Sequence, residues 1–138
     1  VGYDDHGIYE HPDHIHAHRA TMLAAELAGV SCRYLSTVDR EYLHFVESHL
    51  IHRADESIPS MRPIGSSTVE ITTTIPIHRF LAEKQAAIAA HRSQISDPSL
   101  GLQGSFGEVY GYEWYVRMGP RSVLDHLVAR LQGAAARE

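Results

Sequence analysis

Pro12 constrains this chain more than any other residue, because it stands inside Tyr9-Glu10-His11-Pro12-Asp13-His14-Ile15-His16-Ala17-His18. A proline ring fixes φ near the helical value and carries no N–H, so it suits the first turn of a helix and no later turn. The stretch therefore predicts a helix starting at Pro12 with His11 near its N-cap. At 100° per residue His11, His14 and His18 share one face, and His16 points elsewhere. Four histidines and an aspartate thus gather within eight residues. The helix end they occupy carries partial positive charge and favours anions. A metal ligand and a proton donor can stand side by side there.

The rest of the chain supplies a scaffold of alternating helices and strands. Residues 1–10 read as a loop, with Asp4 and Asp5 as solvated charges. Ala17, Ala20, Ala24 and Leu27 recur at helical spacing after Pro12, and Gly29 supplies the stop. Ser31 to Val38 alternates weakly, as a short strand would. A second helix runs from Asp39, a natural N-cap, to Arg53. Tyr42, Val46 and Leu50 form its stripe, widened by Leu43 and Phe45. Thr68 to Ile75 is β-branched nearly throughout and predicts a strand, with Val69 and Ile71 on one face. Pro76 ends it. A third helix follows from Ile77 to Ser93 and buries Phe80, Leu81, Ala87 and Ile88. The aromatic run Val109 to Val116 is a strand or a strand–helix junction. Ser122 to Leu131 is a last helix, with Val123, Leu124, Leu127 and Leu131 inward. Residues 54–67 and 95–107 read as loops.

This order predicts a single domain over 1–138 of the α/β class, a layered α/β/α arrangement. Two or three strands are few for a complete doubly wound sheet, so a partner segment is expected. A formal net charge of −5 argues against a nucleic-acid surface. Cys32 is the only cysteine, which leaves no internal disulfide. No apolar run approaches the roughly 18 residues of a membrane span. The expected compartment is the cytoplasm.

Zinc takes histidine nitrogen and carboxylate oxygen, and a catalytic zinc typically keeps three protein ligands and an open position. His14 and His18 form an i, i+4 pair, but the glutamate base of the His-Glu-x-x-His motif is absent. Asp13 can ligate, cap the helix, or orient a histidine, as carboxylates beside metal sites commonly do.

Gly7-Ile8-Tyr9-Glu10-His11-Pro12-Asp13-His14-Ile15-x-x-His18-Arg19 resembles the second signature of the LmbE-like, PIG-L type de-N-acetylases. Thr72-Thr73-Thr74-Ile75, Lys84-x-x-Ala87-x-x-Ala90-His91-x-Ser93-Gln94 and Tyr110-Gly111-Tyr112-Glu113-Trp114-Tyr115 are similar to later family segments. The resemblance implies the C-terminal portion of a Rossmann-like layered fold that hydrolyses an N-acetyl bond on an amino sugar or sugar conjugate, with Zn2+. His14 would be the metal ligand. His11 would be the general acid or would stabilise the oxyanion. Asp13 would tune one of these histidines, and Tyr9 would reach the reacting carbonyl or gate the pocket. Histidine suits proton delivery because imidazole titrates near neutrality.

Two departures stand out. Glu10 occupies a position that is usually glycine in the family. The family's first signature, Ala-His-Pro-Asp-Asp, which carries the other ligands and the base, does not occur in this chain. The expected partner is therefore the N-terminal half of the same protein, without which the chain would be inactive. A homo-oligomer is compatible with the sequence. One rival reading is an amidase of the same family acting on a thiol-sugar conjugate. Another is a non-catalytic α/β domain with a structural histidine cluster. His6, His16, His44, His49, His52, His78 and His126 read as exposed or structural. His91 and Gln94 read as helix-end residues, Glu113 as a partner for an arginine, and the Tyr/Trp cluster as core rather than a sugar platform.

Overall fold

A computed structural model describes residues 1–49, 64–91 and 106–135. Within them lie β1 (Gly2–Tyr3), α1 (Gly7–Glu10), α2 (Pro12–Leu27), β2 (Arg33–Thr37) and α3 (Arg40–His49). After these come β3 (Thr73–Pro76), a 3-10 turn (His78–Phe80), α4 (Leu81–Ala90), α5 (Phe106–Tyr110), β4 (Tyr112–Met118) and α6 (Val123–Ala135). The strands form one sheet in the order β1-β2-β4-β3. The β1–β2 pair is parallel, and both β4 pairings are antiparallel. The domain is thus mixed α/β, and the doubly wound parallel pattern of a Rossmann sheet is not what these four strands display.

Side-chain alternation gives each face its helix. Tyr34 of β2 stands opposite Arg117 of β4, and Thr73 of β3 opposite Tyr115. Tyr34, Arg117 and Thr73 all bond to Asp125 of α6, so α6 covers this face. Thr37 and Thr74 stand opposite Trp114 on the other face. There Tyr42 of α3 packs its ring 5.5 Å from Trp114 and 5.4 Å from Tyr112. Val46 of α3 is fully buried.

Local chemistry explains the element ends. Pro12 opens α2, and the His11 ring caps it, with Nδ1 accepting from Asp13 N at 3.2 Å. Gly29 follows the helix with φ +66, and Val30 N–H reaches back to the Ala25 carbonyl at 2.8 Å, closing the C-terminus. Asp39 caps α3 through Tyr42 N at 3.0 Å. These three ends follow the sequence reading; residues 50–53 of the expected second helix lie outside the described residues.

Several expectations are corrected. Residues 1–10 are not simply a loop, since they form β1 and the tight turn α1. The strand expected from Thr68 starts at Thr73, because residues 68–70 turn instead. Ser67 donates from N and Oγ to Glu70 Oε2 at 2.9 and 2.8 Å, and that ring of contacts turns the chain. Val69 is consequently 92% exposed. Of the inward face expected for the third helix, Phe80 and Ala87 are exposed, while Leu81 and Ile88 are half-buried. On α6, Val123 and Leu127 are exposed. Phe106 and Gly107, placed in a loop, open α5. The remainder of that loop (95–105), residues 54–63 of the other, and Ser93 and Gln94 lie outside the described residues.

Candidate functional site

The histidine turn sits at the carboxyl end of the parallel strand pair, where open α/β sheets bind ligands. Its geometry starts with Asp4, which follows β1. The Asp4 carboxylate is buried and accepts from Thr37 Oγ1 at 2.6 Å and from Ile8 N at 2.7 Å. Asp4 N donates to Ser36 O at 3.0 Å. This corrects the reading of Asp4 as a solvated loop charge; Asp5 is exposed, beside His6. The parallel pairing of β1 with β2 carries Asp4 over Thr37, thirty-three residues away.

Asp4 holds a turn that ordinary residues resist. Ile8 has φ 65 and ψ −58, and Glu10 has φ 64. A β-branched residue at positive φ is a genuine outlier, and such strain clusters at functional sites. Gly65 N donates to the Ile8 carbonyl at 2.6 Å and supports the turn from the other side. Gly7, at φ 61, is required for a second reason. A Cβ there would lie 2.9 Å from His14 Cβ and 3.0 Å from Ile15 N.

His14 Nδ1 lies 3.2 Å from the Gly7 carbonyl oxygen. A carbonyl only accepts, so Nδ1 carries the proton and the Nε2 lone pair is left for a ligand. The Tyr3 ring stacks on His14 at 4.0 Å and 3°. His11 is the opposite case. Its Nδ1 accepts from Asp13 N, so a neutral ring carries its proton on Nε2 and is a donor there. The two rings are 4.8 Å apart. Tyr9, half exposed, meets both edge-on at 5.7 and 5.2 Å. The structure therefore brings Tyr9, His11 and His14 together. Asp13 contributes its backbone N–H; its carboxylate is exposed and accepts from neither histidine. His18 bonds through Nδ1 to the Tyr3 carbonyl at 2.8 Å and fastens α2 to β1. His16 is exposed. Among the described residues no group of three or more His, Cys, Asp or Glu side chains is arranged to hold a metal ion. Of the two adjacent rings, His14 is the one whose Nδ1 contact leaves the Nε2 lone pair over.

The sequence reading missed Asp4, Tyr3 and Asp125. Asp125 lies in the first turn of α6, facing the sheet, where burial opposes its charge. Hydrogen bonds from Tyr34 Oη (2.5 Å), Ser122 N (2.9 Å), Arg117 and Thr73 Oγ1 (3.2 Å) outweigh burial and hold the carboxyl far below the usual range. Burial, with the same contact, pushes the Tyr34 phenol up. The available signal was Ser122-x-x-Asp125, a capping-box spacing. Glu113 pairs with Lys84 at 2.7 Å, not with an arginine.

The fold and this turn define a mixed α/β domain with its polar site at the strand carboxyl ends. Curated relatives carry the name 1D-myo-inositol 2-acetamido-2-deoxy-alpha-D-glucopyranoside deacetylase. The protein from Salinispora arenicola is 34% identical across 98% of this chain and 51% of its own length. That from Thermomonospora curvata is 32% identical across 88% and 48%, and that from Nocardia farcinica 34% across 70% and 38%. No family model and no solved structure matches. The chain belongs to the LmbE-like, PIG-L type de-N-acetylase family and corresponds to the C-terminal part of those relatives. It spans about half the length, or less, of the curated relatives it matches. Among the described residues no helix is long and apolar enough to cross a membrane.

Proposed function

We propose that this chain supplies one half of a zinc-dependent N-deacetylase site acting on an acetylated amino-sugar conjugate, of the kind named in its relatives. The observation that carries the reading is the opposed hydrogen bonding of two adjacent imidazoles 4.8 Å apart, His14 Nδ1 on the Gly7 carbonyl and His11 Nδ1 on Asp13 N–H, which assigns a bare Nε2 to His14 and an Nε2–H to His11.

In this reading His14 Nε2 is the metal ligand that the chain contributes, and the Gly7 carbonyl aligns it, as partners of metal-binding histidines generally do. Zinc held there would polarise an amide carbonyl and lower the pKa of a bound water to about 7. His11 Nε2–H would donate to the developing oxyanion; as the general acid, the ring would instead carry a proton on each nitrogen, give up the contact from Asp13 N, and pass its Nε2 proton to the leaving amine. Tyr9 supplies a hydroxyl toward the same carbonyl oxygen. Asp13 holds His11 through its backbone and places a negative charge beside the pair. The remaining ligands and the base come from the N-terminal half of the protein. That half would add the parallel strands of a Rossmann-like sheet along the outer edge of β1. It would also cover Leu23 and Leu27 of α2, which are 57% and 80% exposed here. A single cysteine is consistent with a cytoplasmic reaction.

The test uses the protein carrying both halves. His14→Ala is expected to lose zinc and acetate release together. His11→Ala is expected to keep zinc and lose about 100-fold or more in turnover. Zinc content and turnover that both survive His14→Ala refute the reading.

A further inference from the structure

Asp4 is a buried carboxylate that takes no part in the proposed chemistry, yet several donors converge on it. Its own N–H donates to Ser36 O at 3.0 Å, which fixes the residue against β2. Thr37 Oγ1 donates to Asp4 Oδ2 at 2.6 Å. That bond uses the one proton of the Thr37 hydroxyl. The 3.0 Å contact between Thr37 Oγ1 and Ser66 Oγ is therefore made with the serine proton. The other carboxylate oxygen, Oδ1, accepts from Ile8 N at 2.7 Å.

The Ile8 N–H belongs to the same peptide group as the Gly7 carbonyl. That peptide is trans, so it is planar with its N–H and C=O pointing opposite ways. Asp4 thus grips one end of it, and His14 Nδ1 donates to the other at 3.2 Å. The next peptide is held as well, because Gly65 N donates to the Ile8 carbonyl at 2.6 Å. With both flanking peptides fixed, Ile8 stays at φ 65 and ψ −58, which a β-branched residue resists. Rotating the Gly7–Ile8 peptide would turn its carbonyl towards the Asp4 carboxylate and its N–H towards His14. The ring would then accept at Nδ1 and carry its proton on Nε2.

We infer that Asp4 is a positioning residue for His14, acting through the Gly7–Ile8 peptide, and that this carboxylate–peptide–histidine relay decides which imidazole nitrogen is left bare. Ser66 and Thr37 donate towards Asp4 from one side, and His14 and Ile8 from the other. Bonds that all run towards one charge polarise one another in the same sense. The carboxylate therefore strengthens the hold of the Gly7 carbonyl on the ring without touching the ring itself. The relay is a property of the metal-free chain, and only its consequence for zinc rests on the deacetylase reading.

Nitrogen-15 NMR of this chain, with the imidazoles neutral, reads the relay. His18 is the internal control, because its Nδ1 bonds to the Tyr3 carbonyl at 2.8 Å, across the same contact of α2 with β1 but outside the Gly7–Ile8 peptide. Asp4→Ala should replace the single Nδ1–H form of His14 with a mixture of tautomers and leave His18 unchanged. Asp4→Asn keeps an acceptor for Ile8 N, and the Thr37 hydroxyl can turn to accept from the new amide. This variant should retain the Nδ1–H form, but loss of the charge should move the His14 Nδ1 resonance upfield. It keeps the test open should the alanine variant not fold. The relay is overturned by His14 remaining wholly Nδ1–H in Asp4→Ala, by His14 and His18 shifting together, or by an Asp4→Asn protein with either mixed tautomers or an unmoved Nδ1 resonance. In the two-half protein, Asp4→Ala should lower zinc affinity about 10-fold. A His14 tautomer that responds while zinc affinity does not would leave the relay intact and remove His14 as the metal ligand instead.

Discussion

Replacing Gly7 with alanine tests the part of the structure that links backbone strain to the site. Gly7 has φ 61, where an L-residue costs about 1–2 kcal/mol. The new Cβ would also meet Ile15 N at 3.0 Å and His14 Cβ at 2.9 Å. Ile15 N already donates to the His11 carbonyl at 3.1 Å and has little freedom to yield. Crowding of this kind costs about 1–3 kcal/mol. Relief by movement would pull the Gly7 carbonyl from His14 Nδ1, a further loss of about 0.5–1.5 kcal/mol. Because these routes relieve one another, the expected net loss is about 2–4 kcal/mol. Guanidinium unfolding followed by Trp114 emission measures it. In the two-half protein, zinc affinity should fall about 10- to 100-fold, as for other lost partners of ligand histidines, read by competition with a chromophoric chelator. A Gly7→Ala protein with parental stability and parental zinc affinity would refute the reasoning.

Glu10→Gly should stabilise the chain by about 1 kcal/mol, because relief at φ 64 exceeds the added freedom of the unfolded glycine; a lower unfolding midpoint contradicts this. Asp125→Ala should cost about 3 kcal/mol at neutral pH, since it strands Arg117 and the Tyr34 hydroxyl beneath α6. The folded Asp125 carboxyl is held below its unfolded value, so its contribution is complete above about pH 4. It is lost as pH falls below that value towards the folded one. Unfolding curves from pH 7 down to pH 2 should show a steeper loss in the parent than in Asp125→Ala, and parallel curves contradict the assignment.

Local signals in the sequence reach some of this structure and not the rest. Pro12, Gly29 and Asp39 set helix ends through contacts one to five residues away, and each end lies where those residue types place it. Thr68 to Glu70 look like strand by residue type, yet the Ser67–Glu70 contacts turn them; Ser67-x-x-Glu70 was the legible signal. The exposed faces of Val69, Phe80 and Val123 depend on what tertiary packing covers, which spacing alone does not encode. In the site, His11, His14 and Tyr9 were legible from one short motif. Asp4 was not, because its role arises from a two-residue strand pairing that sets it against Thr37, thirty-three positions on, and Tyr3 was not, because its ring meets His14 only once α2 packs on β1. The aromatic run from Tyr110 to Tyr115 was legible as a cluster, but the packing of Tyr42 on Tyr112 and Trp114 was not, because it joins α3 to β4 across some seventy residues.

The opposed protonation of His11 and His14 is the claim on which the functional reading stands, and nitrogen-15 NMR of the imidazoles measures it in this chain at a pH where both rings are neutral. Two-bond couplings should show His14 protonated at Nδ1 with an unprotonated Nε2, and His11 protonated at Nε2 with an unprotonated Nδ1. The same tautomer at both rings, or the reverse assignment, contradicts the account.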